Sequence, residues 1–174
     1  MNDTLSEGWY YRLEKHLPGT GESIEAIIAE YSDMVYRLAL SQMKNKNDAD
    51  DIFQEVFFRY IRRKPHFESK EHQKAWFIRV TINCCKNTFT SAWKKRVVPL
   101  EETIPFITDE QGDLIRELNK LPKKYLAVVH LFYYEEMSIE EIANAIGISI
   151  SAVKMRLSRA RKMLKGFIKE EDYV

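Results

Sequence analysis

A chain of 174 residues, 45% of them hydrophobic, has enough apolar surface for one domain or two small ones. No apolar run approaches the ~18 residues that span a bilayer, and the first residues lack the apolar core of a secretion signal, so a cytoplasmic protein is expected. Net charge is only +1, but the charges are segregated: residues 101–117 carry six acidic side chains against Arg116 alone, whereas residues 151–169 carry seven basic side chains and no acidic one.

Apolar residues recur at three and four along nearly the whole chain, and β-branched alternation is absent over any useful length, which predicts an all-α protein. Residues 1–23 hold Trp9, Tyr10, Leu13 and Leu17 at helical spacing and close on Pro18-Gly19, which reads as an N-terminal extension with a hinge. A helical block follows over 24–96. Residues 97–112 contain Pro99, Pro105 and Gly112 among acidic neighbours, a composition that favours an extended, flexible acidic linker. A second helical block spans 113–170, with Pro122 suited to a first helical turn. The fold expected is therefore two small helical domains joined by that linker.

In the first block, residues 48–63 pattern as an amphipathic helix with Ala49, Ile52, Phe53, Val56, Phe57, Tyr60 and Ile61 on its buried face. The opposite face holds Asp51, Gln54, Glu55, Phe58, Arg59 and Arg62. Phe58 points away from the buried stripe, and an exposed phenylalanine among charges suggests a docking surface for a partner. Residues 71–90 form a helix with two occupied faces. Ile78, Ile82, Cys85 and Phe89 supply a stripe that can bury. Trp76, Arg79, Asn83 and Lys86 lie within an arc of ~80° and combine an aromatic ring, a base-edge reader and phosphate-binding charges. Trp93, Lys94, Lys95 and Arg96 extend that charge.

The second block carries the most specific local signal. Ser138 with Glu141 three residues on is a capping box, Gly147 can take the positive φ of a sharp inter-helix turn, and Ser149 can cap a second helix with Val153, Leu157 and Leu164 turned inward. The basic residues of 151–169 then sit on a recognition helix suited to phosphate neutralisation and major-groove entry. This is a helix-turn-helix.

Metal and nucleophile chemistry find no support. His16, His66, His72 and His130 are scattered without ligand spacing. Cys84 and Cys85 are adjacent on a helix, which disfavours a disulfide between them and reads as two small core residues in a reducing compartment. Residues 19–23 lack the lysine and preceding strand of a phosphate loop.

Taken in order, these segments resemble the extracytoplasmic-function sigma factors of bacterial RNA polymerase over residues 24–169. Asp48-Ala49-Asp50-Asp51-Ile52-Phe53-Gln54-Glu55-Val56-Phe57 resembles the family's polymerase-clamp-binding segment, and Ala75-Trp76-Phe77-Ile78-Arg79-Val80-Thr81-Ile82-Asn83 with Lys86-Asn87 its −10 segment. Leu121-Pro122 with Tyr125, then Ser138 to Ala143 and Val153 to Arg161, resemble its −35 reader. The resemblance implies that Asp51, Gln54 and Glu55, with the exposed Phe58, meet core polymerase; that Trp76, Arg79, Asn83, Lys86 and Asn87 open and hold the −10 element; and that Ser151, Lys154, Met155, Arg156, Ser158, Arg159 and Arg161 approach −35 DNA. It further implies bacterial core RNA polymerase, promoter DNA and an anti-sigma factor as partners, with no catalytic residue, cofactor, metal or small-molecule substrate. Residues 1–23 have no counterpart in the family's minimal form. The alternative is a stand-alone helix-turn-helix regulator with a sensing or dimerising first block, which leaves the Trp76 stripe without a task.

Overall fold

In this computed structural model the described residues are 23–95 and 116–171, with side chains described over 23–88 and 116–167. The N-terminal extension, the acidic linker, Phe89 and the Trp93–Arg96 charges lie outside that description. The described residues form helices and no strand: α1 (Ile24–Met43), α2 (Lys46–Arg63), α3 (Lys70–Lys95), a helical stretch at 116–120, α4 (Lys123–Tyr133), α5 (Ile139–Ile146) and α6 (Ile150–Glu171).

Capping sets the boundaries. Ser23 Oγ accepts from Ala26 N at 3.2 Å to start α1, and Asn45 Oδ1 accepts from Asp48 N at 3.1 Å to start α2. Both helices end on lysines in the left-handed region, Lys44 at φ 60° and Lys64 at φ 45°, whose N–H groups return to Leu40 and Tyr60 carbonyls. The first helical block is thus three helices. Pro122 stands one position earlier than expected: it is the cap of α4 rather than part of its first turn, at φ −58° and ψ 142°. Its extended ψ keeps it outside the helix, while its carbonyl accepts from Tyr125 N and Leu126 N to begin the hydrogen-bond ladder.

α1, α2 and α3 pack around Phe77, which is 0% exposed. Tyr31 stacks on it with centroids 4.6 Å apart, while Phe57 and Tyr60 lie at 5.4 and 5.3 Å. Tyr31 Oη donates to the buried Gln73 Oε1 at 3.1 Å, which satisfies that oxygen inside the core. α4 is buried from Tyr125 to Leu131 by α1 on one side and by α5 and α6 on the other. α5 also packs on α3.

The two helical groups are therefore in contact. Arg37 of α1 lies 3.7 Å from Glu135, just past α4, and Lys44 Nζ donates to the Asn119 carbonyl. Arg79 of α3 reaches the end of α5, its Nε donating to the Ala145 carbonyl at 3.0 Å and its Nη2 to the Asn144 carbonyl at 2.7 Å. Carbonyls at a helix C-terminus lack intrahelical partners and carry partial negative charge, so a guanidinium suits them.

Candidate nucleic-acid interface

The helix-turn-helix is built from local rules. Ser138 Oγ accepts from Glu141 N at 3.1 Å while Glu141 Oε2 accepts from Ser138 N at 2.7 Å, closing the capping box expected from the sequence. The Ser138 N–H, followed by the Ser138 hydroxyl, holds the Glu141 carboxyl below its usual pKa range. Gly147 takes φ 71°, and its N–H and that of Ile148 both return to the Ala143 carbonyl. Ser149 Oγ accepts from Ala152 N at 3.1 Å to start α6. Val153, Leu157 and Ala160 are buried against α4 and α5. The same periodicity leaves Ser151, Lys154, Met155, Ser158, Arg159 and Arg161 exposed, with Met155 at 46%.

Two of the basic residues are held by their own domain. Arg161 Nε donates to Tyr133 Oη at 2.9 Å, and its guanidinium lies 6.0 and 5.9 Å from the Phe132 and Tyr133 rings. Arg159 sits beside Tyr125 and holds its phenol below the usual pKa. Arg156 differs from the rest: it is half-buried and turned toward α3, sharing a cleft with Lys86.

On α3 the Trp76 stripe is divided. Trp76 is half-buried, its ring edge-on to Phe77, Phe67 and Tyr60 at 5.1, 5.9 and 6.0 Å. With Arg79 it borders a crevice of about 310 Å³ that Glu71, Lys74, Met137, Glu141 and Asn144 also line. Asn83 and Lys86 are exposed further along the helix. Trp76 is thus anchored by a core edge and open on one side, as a stacking platform needs.

On α2, Asp51 and Gln54 are exposed and Phe58 is 58% exposed, so no helix of the described chain covers that ring. Glu55 Oε1 accepts from Arg59 Nε at 2.6 Å, which fixes the carboxylate along the helix. These residues line a shallow groove of about 710 Å³ together with Cys84, Asn87 and Thr88 of α3. Asn87, grouped with the Trp76 stripe on sequence, stands on this α2 side.

Cys84 and Cys85 are buried free thiols. Burial raises both pKa values, that of Cys85 to about 12, so neither is poised as a thiolate. Among the described residues no three His, Cys, Asp or Glu side chains are grouped to hold a metal ion, and no helix is long and apolar enough to cross a membrane.

Sequence reasoning missed Tyr133, Lys74 and the second task of Arg79. Tyr133 had a signal: Phe132-Tyr133-Tyr134 cannot all face one core from one helix. Lys74 and the Arg79 contacts depend on how the two helical groups meet, which no local pattern encodes.

A helical platform bearing an aromatic-basic stripe, in one chain with a capped helix-turn-helix, defines a DNA-directed transcription protein. The Sigma-70 region 2 family matches residues 27–95, and the Sigma-70, region 4 family matches residues 111–164. The chain is 31% identical over 151 residues to the RNA polymerase sigma factor SigV of Bacillus subtilis, covering 83% of this chain and 90% of that protein. It is 29% identical over 157 residues to the ECF RNA polymerase sigma factor SigM of the same organism, covering 82% and 93%. In fold it is similar to the sigma factor RpoE of Bartonella quintana, seen with the anti-sigma factor NepR, at a TM-score of 0.62 and 23% identity over 83% of this chain and 96% of that one. The chain belongs to the extracytoplasmic-function family of RNA polymerase sigma factors. Its function is to direct RNA polymerase to promoters.

Proposed function

We propose that the chain divides promoter recognition between its two helical groups. Residues 24–96 bind core polymerase and open the −10 element, residues 97–112 connect, and residues 113–170 read the −35 element. The observation that carries this division is the exposed basic face of α6 following a capped turn, on the side of that helix away from Val153 and Leu157. Lys154 and Arg159 supply charge to DNA phosphates or base edges there, with Met155, Ser151 and Ser158 beside them. Met155 and Ser158 are weak hydrogen-bonding readers, so shape and phosphate contacts carry more of −35 recognition. Arg156 and Arg161 flank this face as backbone contacts.

Trp76 compensates for lost base stacking during opening, Arg79 and Lys86 engage the strand backbone, and Asn83 reads a base edge. Asp51, Gln54, Glu55 and Phe58 form the polymerase-facing surface; the 58% exposure of Phe58 supports this. Asn87, which shares the α2 groove, is retained as a −10 contact next to that surface. The chain itself performs no catalysis and acts in the cytoplasm. An anti-sigma factor is its regulator, a reading supported by the likeness in fold to a sigma factor crystallised with one.

The test uses reconstituted holoenzyme on duplex promoters and on the same promoters with a pre-opened −10 bubble. Lys154→Ala and Arg159→Ala weaken binding to both templates and flatten the salt dependence. Full rescue of these variants by the bubble would move them to melting and overturn the division.

A further inference from the structure

Arg79 of α3 is claimed twice. Its Nε donates to the Ala145 carbonyl at 3.0 Å and its Nη2 to the Asn144 carbonyl at 2.7 Å, at the C-terminus of α5. That edge of the guanidinium is the fork a phosphate takes side-on, so a promoter strand and α5 compete for the same donors. Carbonyls at a helix end carry partial negative charge and stand in for phosphate oxygens there.

Trp76 meets the same competitor. Its open side gives onto the crevice of about 310 Å³ whose far wall is Met137, Glu141 and Asn144 of the second helical group. That volume lies at the small end of single-ligand sites, too small for the consecutive nucleotides of a strand. The carboxylates of Glu71 and Glu141 also line it and repel a phosphate backbone. Reach gives a third argument. Elements near −10 and −35 lie about 25 base pairs apart, roughly 85 Å along straight duplex at 3.4 Å per pair. With α5 packed on α3, the helix-turn-helix lies beside the Trp76 stripe, and the chain cannot hold both elements at once.

We propose that this arrangement is a closed state in which the α5 C-terminus takes the place of a promoter strand on Arg79 and walls off Trp76, so that the two helical groups must part before the chain holds a promoter. The inference rests on the −10 reading of Trp76 and Arg79 given above. Two further contacts hold the closed state without using a DNA-reading side chain: Arg37 lies 3.7 Å from Glu135, and Lys44 Nζ donates to the Asn119 carbonyl. Apolar side chains add to it, since Ile82 of α3 shares a cleft with Ile146 and Ile148. Binding that selects the open form is weakened in proportion to the fraction open, so loosening these contacts raises apparent affinity with no new contact to DNA.

The test uses the full chain without polymerase. The probe is a fluorescein-labelled thymidine oligonucleotide of about twelve nucleotides, because stacking and phosphate contacts tolerate any base. Anisotropy reads its affinity, and small-angle scattering reads the radius of gyration. Arg37→Glu with Lys44→Asn breaks both outlying contacts, and asparagine tolerates the left-handed backbone at position 44, where φ is 60°. The expected result is a larger radius of gyration and binding about fivefold tighter than wild type, although the variant carries less positive charge. Lys74→Cys with Asn144→Cys places two thiols on the crevice, where a reducible bis-thiosulfonate bridge locks the groups together. The bridged chain binds the probe about tenfold more weakly or worse and recovers when the bridge is cut. Trp76→Ala leaves the Arg79 bonds in place and separates the two readings. Binding equal to wild type in Trp76→Ala overturns the −10 reading and the proposal with it. Weakened binding in Trp76→Ala, with no gain in the Arg37/Lys44 variant or no loss in the bridged chain, overturns the closed state alone.

Discussion

Phe58 and Trp76 are both aromatic residues on the faces of long helices, and their surroundings assign them opposite sensitivities. Phe58 is exposed, so Phe58→Ala changes unfolding free energy by no more than about 0.5 kcal/mol. If the ring anchors polymerase, the same substitution costs about 2 kcal/mol of core-polymerase affinity, roughly thirtyfold. Fluorescence-based binding to core enzyme, alongside chemical denaturation, separates the two quantities. Trp76 packs edge-on against three aromatic rings, so Trp76→Ala loses about 2 kcal/mol of stability, less than a fully buried aromatic. Trp76→Phe keeps most of that packing and a smaller stacking face. Permanganate reactivity of −10 thymines falls for Trp76→Phe on duplex promoters and recovers on pre-opened ones; equal defects on both would make the ring a scaffold. The sequence pattern alone found both residues, because helical periodicity separates faces, but it could not weigh the half-burial of Trp76 against its open side.

At the scale of the element, α5 and its turn were the most legible part of the chain, and the reason is locality. A capping box spans four residues, and a left-handed glycine spans one, so Ser138, Glu141 and Gly147 announce their geometry before any tertiary contact forms. Ser138→Ala removes the acceptor for Glu141 N and costs about 1 kcal/mol. Gly147→Ala meets no atom within 4 Å, so its cost is purely that of φ 71°, about 1 kcal/mol. Thermal unfolding of the two variants checks both values, and an unchanged Tm for Gly147→Ala would mean the turn relaxes out of the left-handed region. α3 was legible as a helix with two faces, but its third contact was not. Arg79 looked like a free phosphate ligand, because its bonds to Asn144 and Ala145 join residues more than sixty positions apart.

The whole molecule adds a charge-dependent docking between its halves. Glu135 is faced by His130 from α4, Arg37 from α1 and Lys74 from α3, and the neighbouring His130 imidazole, followed by Arg37 and Lys74, holds its carboxyl below the ordinary range. A carboxylate whose folded pKa is depressed stabilises the folded, docked form above its unfolded value and loses that contribution as pH falls through the lowered one. Acidification below about pH 4.5 therefore lowers Tm in wild type more steeply than in Glu135→Gln, as scanning calorimetry at a series of pH values shows. Parallel pH profiles would remove Glu135 from the docking contact.

The division of labour between the halves has one direct measurement. Run-off transcription on fragmented genomic DNA compares bacterial core polymerase alone, core with this chain, and core with the Lys154→Ala/Arg159→Ala variant, with start sites mapped for each. The account predicts discrete start sites only when the chain is present, sharing one motif near −10 and another near −35, and loss of initiation at those sites in the variant. Start sites that persist unchanged in the variant, or that share no upstream motif near −35, would contradict it.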